Sequence, residues 1–174
     1  MNPAATPIRL ATPADAAAIA RVQVEGWQST YRGIVADEVL DGMTVETRTP
    51  AWLENLQASQ AMTFVAESPA DGVVAFANCG PERTGRTDFD GELYALYVLS
   101  AWRRQGLGKQ LFGQCADTLR ASSKSKLLVW VLSANPYRPF YESLGGRLVD
   151  EQPIAIGSQT LLEVAYAWDD LKQI

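Results

Sequence analysis

The stretch from Glu92 to Gly113 constrains this chain more than any other. A short apolar run (Leu93, Leu96, Val98, Leu99) leads into Arg103-Arg104-Gln105-Gly106-Leu107-Gly108 and then into an amphipathic pattern, which predicts a strand, an anion-binding loop and a helix in succession. A helix N-terminus gathers unpaired backbone N–H groups and the positive end of the macrodipole, and a glycine-rich approach lets an anionic ligand reach them. Leu107, Leu111, Cys115 and Leu119 recur every four residues with Phe112 beside them, so the helix carries one apolar stripe for a core. Gly106 and Gly108 are poor helix formers, and their place at its start points to backbone access rather than helix stability.

Two common phosphate loops do not fit. A nucleotide-hydrolysing loop needs Lys-Ser or Lys-Thr after its last glycine, whereas Gly108 is followed by Lys109 and Gln110; a dinucleotide fingerprint needs a small residue where Leu111 stands. Downstream, Leu127-Leu128-Val129-Trp130-Val131-Leu132 reads as a buried strand, followed by Ser133-Ala134-Asn135-Pro136 and by Phe140-Tyr141-Glu142-Ser143-Leu144-Gly145-Gly146. The Arg-x-x-Gly-x-Gly loop after a strand, followed in this order and at this separation by the Asn and the Phe-Tyr-Glu-x-Leu-Gly segment, resembles the acetyl-CoA-dependent N-acetyltransferases of the GNAT superfamily. Two departures are visible: Asn135 and Tyr141 are one residue closer than in many relatives, and Ser100 stands where relatives often carry Pro.

The composition is compatible with that resemblance. A chain of 174 residues, 47% of them hydrophobic, can bury one sizeable core and is short for two, so a single domain over residues 1–174 is expected. No apolar run approaches the roughly twenty residues of a membrane helix, and Met1 to Pro7 lack a signal-sequence pattern, which makes a cytoplasmic location and no membrane partner the expectation. A net charge of −5 argues against a nucleic-acid partner. Two cysteines and no histidine leave no disulfide framework, metal site or histidine-based triad to expect.

The rest of the chain reads as an α/β (α+β) domain, a mixed central sheet of about seven strands flanked by four or five helices. Ile8 to Leu10 supply a first strand, and Thr12-Pro13-Ala14-Asp15 starts an alanine-rich helix through Val22. Trp27, Tyr31 and Gly33 are read as a connection to a second helix over Asp37 to Leu40, and a third follows from Pro50 to Leu56. Met62 to Glu67 and Val73 to Ala77 form a hairpin; two more strands, from Arg147 and from Thr160 to Trp168, flank Gly157-Ser158.

The resemblance implies an acetyl-CoA co-substrate, with Arg103, Arg104, Gln105, Gly106, Leu107, Gly108 and Lys109 around its pyrophosphate. The backbone of Leu96, Tyr97 and Val98 would pair with the pantetheine arm as an added strand would. Asn135 either bonds that arm or caps the following turn. An amine of pKa about 10.4 must lose a proton before it attacks a thioester, and Glu92 holds the position of a glutamate that serves as base in some family members. Tyr141 corresponds to a tyrosine that protonates the departing thiolate. Glu25, Trp27 and Tyr31 could recognise a cationic small-molecule or peptide acceptor through a carboxylate and aromatic faces, although Trp27 and Tyr31 equally suit one packed helical face. Dimerisation through the terminal strands is a further family-based expectation. The competing reading is a non-catalytic acyl-CoA-binding sensor or interaction module of the same fold.

Overall fold

Apolar runs and turn signals become seven strands of one sheet, in the order β1-β2-β3-β4-β5-β7-β6. In this computed structural model the described residues are 6–58 and 60–174, so the first five residues of the leader reading lie outside them. The strands are β1 (Ile8–Leu10), β2 (Met62–Ser68), β3 (Gly72–Pro81), β4 (Gly91–Val98), β5 (Leu127–Leu132), β6 (Arg147–Ile156) and β7 (Gln159–Trp168). Every neighbouring pair is antiparallel except β4 and β5. That parallel step needs a crossover, which α4 (Leu107–Ala121) provides. The other helices are α1 (Ala16–Tyr31), α2 (Asp37–Gly42), α3 (Val45–Gln57) and α5 (Pro139–Ser143). None of the described helices is long and apolar enough to cross a membrane.

The core lies on both faces of the sheet. All eight interior residues of β3 are buried, as expected for a strand covered on both sides. On one face Phe76 meets Trp52 of α3 edge-on at 5.0 Å and Tyr97 of β4 at 5.6 Å. On the other, the predicted stripe of α4 buries Leu111, Phe112, Cys115 and Leu119. The loop between β3 and β4 is wired by its own charges: Glu82 accepts from the backbone N–H groups of Gly85 and Arg86 at 3.0 Å each, and Arg86 pairs with Asp88 and with Asp150 of β6.

Two helices differ from the sequence reading. Helix α1 continues past Val22 to Tyr31, so Trp27 and Tyr31 are helical. Gly26 is retained inside it for packing: a Cβ there would lie 2.7 Å from the Tyr97 ring. Helix α3 starts at Val45, five residues before Pro50, because Thr44 caps it by accepting from the Thr47 N–H at 3.2 Å.

At the sheet's first edge, Arg9 holds Asp15 through two bonds of 2.8 Å and binds Glu67 at 2.7 Å. The guanidinium, followed by the Thr12 N–H, lowers the Asp15 carboxyl to about 2 against the opposing effect of burial. A depressed carboxylate stabilises the fold above its unfolded pKa, near 3.9, and that contribution is lost as pH falls through the folded value. Asp15→Asn should therefore lower stability by about 2 kcal/mol at pH 7, with the gap closing between pH 4 and pH 2 in denaturant titrations. Gly26→Ala should cost about 1–3 kcal/mol by overpacking against Tyr97, although alanine is the better helix former by about 1 kcal/mol.

Candidate active site

Strands β4 and β5 pair only where Gly91, Glu92 and Leu93 face Leu127, Leu128 and Val129. Beyond that point they separate. A bulge at Tyr94 accompanies the change, as β3 steps from Asn78 opposite Ala95 to Cys79 opposite Leu93. The Leu99 N–H donates to Val74 of β3 at 3.0 Å, and backbone groups alternate direction along a strand. Tyr97 is thus turned to β3, while Leu96 and Val98 direct their N–H and C=O groups into the gap. Of the three positions expected to pair with a pantetheine arm, Leu96 and the Val98 N–H lie on the edge without a strand partner, while the Val98 carbonyl already accepts from Arg103 Nε. Tyr97 instead buries its ring under Gly26, and burial raises its hydroxyl pKa above the ordinary range.

The loop closes one end of this gap. Arg104 has φ 64° and Gly106 has φ 84°, so two residues of the Arg-x-x-Gly-x-Gly segment are left-handed, the first of them without the freedom of glycine. The Gln110 N–H is the first of α4 to find a helical acceptor, the Gly106 carbonyl at 3.1 Å. The N–H groups of Leu107, Gly108 and Lys109 therefore remain at the helix N-terminus as donors for an anion. Arg104, Gln105 and Lys109 are exposed beside them.

Arg103 points the other way. Its Nε donates to the Val98 carbonyl at 3.1 Å, Nη1 to the Tyr137 hydroxyl at 2.6 Å and Nη2 to the Ser29 hydroxyl at 3.2 Å. Asn135 accepts from the Tyr137 N–H at 2.8 Å, the capping role, and donates from Nδ2 to the Tyr31 hydroxyl at 2.8 Å. Ser29 and Tyr31 both belong to α1, so Arg103, Tyr137, Asn135 and the end of α1 form a closed collar around the gap. The sequence signals placed Arg103 and Asn135 at the site, but their partners lie 34 to 104 residues away in the chain.

Tyr141 sits on α5 beside the gap, its ring stacked on Tyr166 at 5.9 Å and against Phe140 at 5.3 Å. Burial, reinforced by the nearby Tyr31, raises its pKa above the ordinary tyrosine range, so the hydroxyl stays protonated at neutral and moderately alkaline pH. Tyr31 is raised by burial as well, partly offset by the Asn135 bond. Glu92 is 3% exposed and engaged at both oxygens: Oε2 accepts from the Arg83 backbone N–H at 3.0 Å and Nε at 3.2 Å, and Oε1 from Nη2 at 2.7 Å. The Arg83 guanidinium also lies 3.5 Å from the centre of the Tyr94 ring.

The three acceptor candidates are not brought together. Trp27 and Tyr31 pack at 4.9 Å, whereas Glu25 is two positions from Trp27 and hence on the far side of the helix. There it pairs with Arg21 at 3.3 Å and lines an open cleft of about 640 Å³ between α1 and Ser100–Trp102. Both cysteines are buried, and the neighbouring Cys79, followed by burial, holds the Cys115 thiol well above the usual range.

Known proteins share this architecture. The family described as the acetyltransferase (GNAT) domain matches residues 59–145, the span from the hairpin through α5. The uncharacterized N-acetyltransferase YuaI of Bacillus subtilis (strain 168) is 33% identical over 167 residues, which are 96% of this chain and 95% of that protein. Among solved structures, the PaiA N-acetyltransferase of Thermoplasma acidophilum in complex with coenzyme A superimposes with a TM-score of 0.69 at 18% identity, covering 90% of this chain and 96% of the other. The yncA structure from Salmonella typhimurium, which contains acetyl-CoA, gives 0.69 at 22% identity, covering 94% and 92%. These two likenesses concern the fold; the identity to YuaI extends over nearly the whole length. With an opened β4–β5 pair, a glycine-rich helix start and that identity, the chain belongs to the GNAT family of acetyltransferases and is an acyltransferase.

Proposed function

We propose that this acyltransferase takes its acetyl group from acetyl-CoA and passes it directly to a primary amine of a small molecule or peptide, without a covalent acetyl-enzyme. The observation that carries the reading is the edge of Leu96 and the Val98 N–H, left without a strand partner, leading to the free N–H groups of Leu107 to Lys109. An extended amide-bearing chain can pair with the first while its pyrophosphate is held by the second. Solved structures of the same fold contain coenzyme A and acetyl-CoA. Arg104 and Lys109 would add charge at the phosphate end, while Arg103 holds the collar.

At the other end, the Val98 N–H would donate to the thioester carbonyl as negative charge develops on its oxygen. Tyr141 offers a protonated hydroxyl to the departing thiolate. A thiol has a pKa near 8.5, so the phenol helps by hydrogen bonding and late proton donation rather than by acting as a strong acid. Direct attack is favoured because both thiols are buried and Cys115 is held in its neutral form, unsuited to nucleophilic work. Glu92 would act as base only after exchanging Arg83 for the acceptor, because Arg83 engages both of its oxygens.

Thermal unfolding with acetyl-CoA at one hundred times its dissociation constant should reveal about 2.7 kcal/mol of added stability, a rise of about 5–10 °C for a chain of this length. Gly106→Val, which forces a β-branched residue into a left-handed backbone, should abolish that rise; no rise in the wild type would remove the donor assignment. Tyr141→Phe should keep the rise while lowering kcat by about 100-fold. In the wild type the Tyr141-dependent rate should persist through pH 10, since the protonated hydroxyl is the active form and its pKa is raised. Ligand binding without thiol release across an amine panel would indicate the non-catalytic acyl-CoA module instead.

A further inference from the structure

Two separate apolar caps cover the face of the sheet beneath α1. Tyr31, Val35 and Leu40 pack over Leu132 and, from the last hairpin, Ile154 and Leu161. Phe89, from the β3–β4 loop, packs over Leu128, Ala165 and Val149. Between the caps, Trp130 is the one residue of β5 that is not buried. The register identifies its neighbours. Leu128 and Trp130 share a face, with Glu92 of β4 opposite Leu128. Leu132, two residues further along, stands opposite Glu163 of β7, which stands opposite Gln152 of β6. The seam between the caps is therefore lined by Glu92, Trp130, Glu163 and Gln152.

The two carboxylates in that seam have different partners. Glu92 is held at both oxygens by Arg83. Glu163 is half-buried and its one hydrogen bond runs from Gln152 Nε2 to Oε1 at 2.8 Å, which orients the group and leaves Oε2 for a ligand. Two other carboxylates on this face are paired, Glu92 with Arg83 and Asp150 with Arg86 further along the hairpin. The hydroxyls of Tyr31, over Leu132, and of Tyr97, towards Trp27, are further titratable groups on this face, and the Arg48 cation of α3 acts on Tyr97. Among the described residues, Glu163 is the carboxylate on this face without a cation.

The indoles add a second signal. The N–H groups of Trp27 and Trp130 are buried without a hydrogen-bond partner, that of Trp27 lying towards the Tyr97 hydroxyl but outside bonding geometry. What the two indoles bring to this part of the molecule is aromatic surface beside the Glu163 carboxylate.

From this arrangement we infer that Glu163 binds the ammonium group of the acceptor and takes its proton, and that the acceptor is a primary monoamine with a flat apolar body. The inference rests on the acetyl-CoA reading above. In the step, one proton passes from the ammonium to Glu163 and the freed lone pair forms the C–N bond. The C–S bond breaks, and Tyr141 supplies the proton that the sulfur receives. Glu163 then returns its proton to solvent and Tyr141 regains one. A single carboxylate oxygen beside aromatic faces suits one cation better than several.

The test compares Glu163→Gln, Glu92→Gln and wild type for coenzyme A release, with phenethylamine and spermidine as probe acceptors between pH 6 and pH 10. Glutamine keeps an acceptor oxygen for Gln152, and the thermal rise with acetyl-CoA reports whether each variant is folded and loaded. Glu163→Gln should keep that rise and lower kcat/KM for phenethylamine about 100-fold at pH 7. The deficit should narrow towards pH 10, where the amine deprotonates without help. Wild type should prefer phenethylamine to spermidine. If Glu163→Gln remains within threefold of wild type, or if Glu92→Gln alone shows the pH-dependent loss, Glu163 is not the base while the transferase reading stands. If the wild type shows the acetyl-CoA rise but transfers to neither amine, or prefers spermidine, the acceptor inference falls while the donor reading stands; without the rise, both fall together.

Discussion

The separation of β4 from β5 after three paired residues is the constraint on which the site depends. A sheet interior normally satisfies each backbone N–H and C=O through its neighbour, and an unpaired pair of buried edges is costly. Here the edges at Leu96 and Val98 are kept available because the surrounding packing does not let the strands close. Tyr97 is pinned beneath Gly26 of α1, Gly108 of α4 approaches Phe140 of α5 at 3.4 Å for an added Cβ, and the bulge at Tyr94 turns the strand at the point of separation. Arg103 takes the Val98 carbonyl from the side, so part of the opened edge is satisfied by a side chain.

Much of this was legible where signals are local. The stripe of α4, the glycine-rich turn, the hairpin of β2 and β3 and a mixed sheet of about seven strands follow from period, turn chemistry and motif order, and the structure bears them out. The missed helix boundaries have equally local causes that point to distant partners. Gly26 is a poor helix former whose place inside α1 makes sense only with Tyr97 against it, and Pro50 looks like a start until Thr44 is seen to cap the helix upstream. Glu25 and Trp27 looked like one recognition surface because they are close in sequence; on a helix, two positions put them on opposite sides.

The carboxylates illustrate the same limit. Motif register selects Glu92 because that register records what a position does in relatives, but it carries no information about Arg83, which arrives from a connecting loop. Glu163 belongs to no motif and stands as a single charge in the otherwise apolar run from Leu161 to Trp168. Only the cross-sheet register, with Leu132 on one side and Gln152 on the other, places it in the seam. Residue type and spacing thus locate a reaction, while the division of labour between similar residues is decided by contacts spanning the chain.

The collar has a consequence for how the two substrates would sense one another. Ser29 and Tyr31 anchor it, and Trp27, one turn before Tyr31 on α1, packs against the Tyr31 ring. One rigid rod therefore serves as a jamb for both doors. Under the proposed function a donor at the collar and an acceptor against the aromatic flank would both bear on this one helix, and any coupling between their binding free energies would be equal in both directions. The order in which the substrates arrive would then be written in the stiffness of α1.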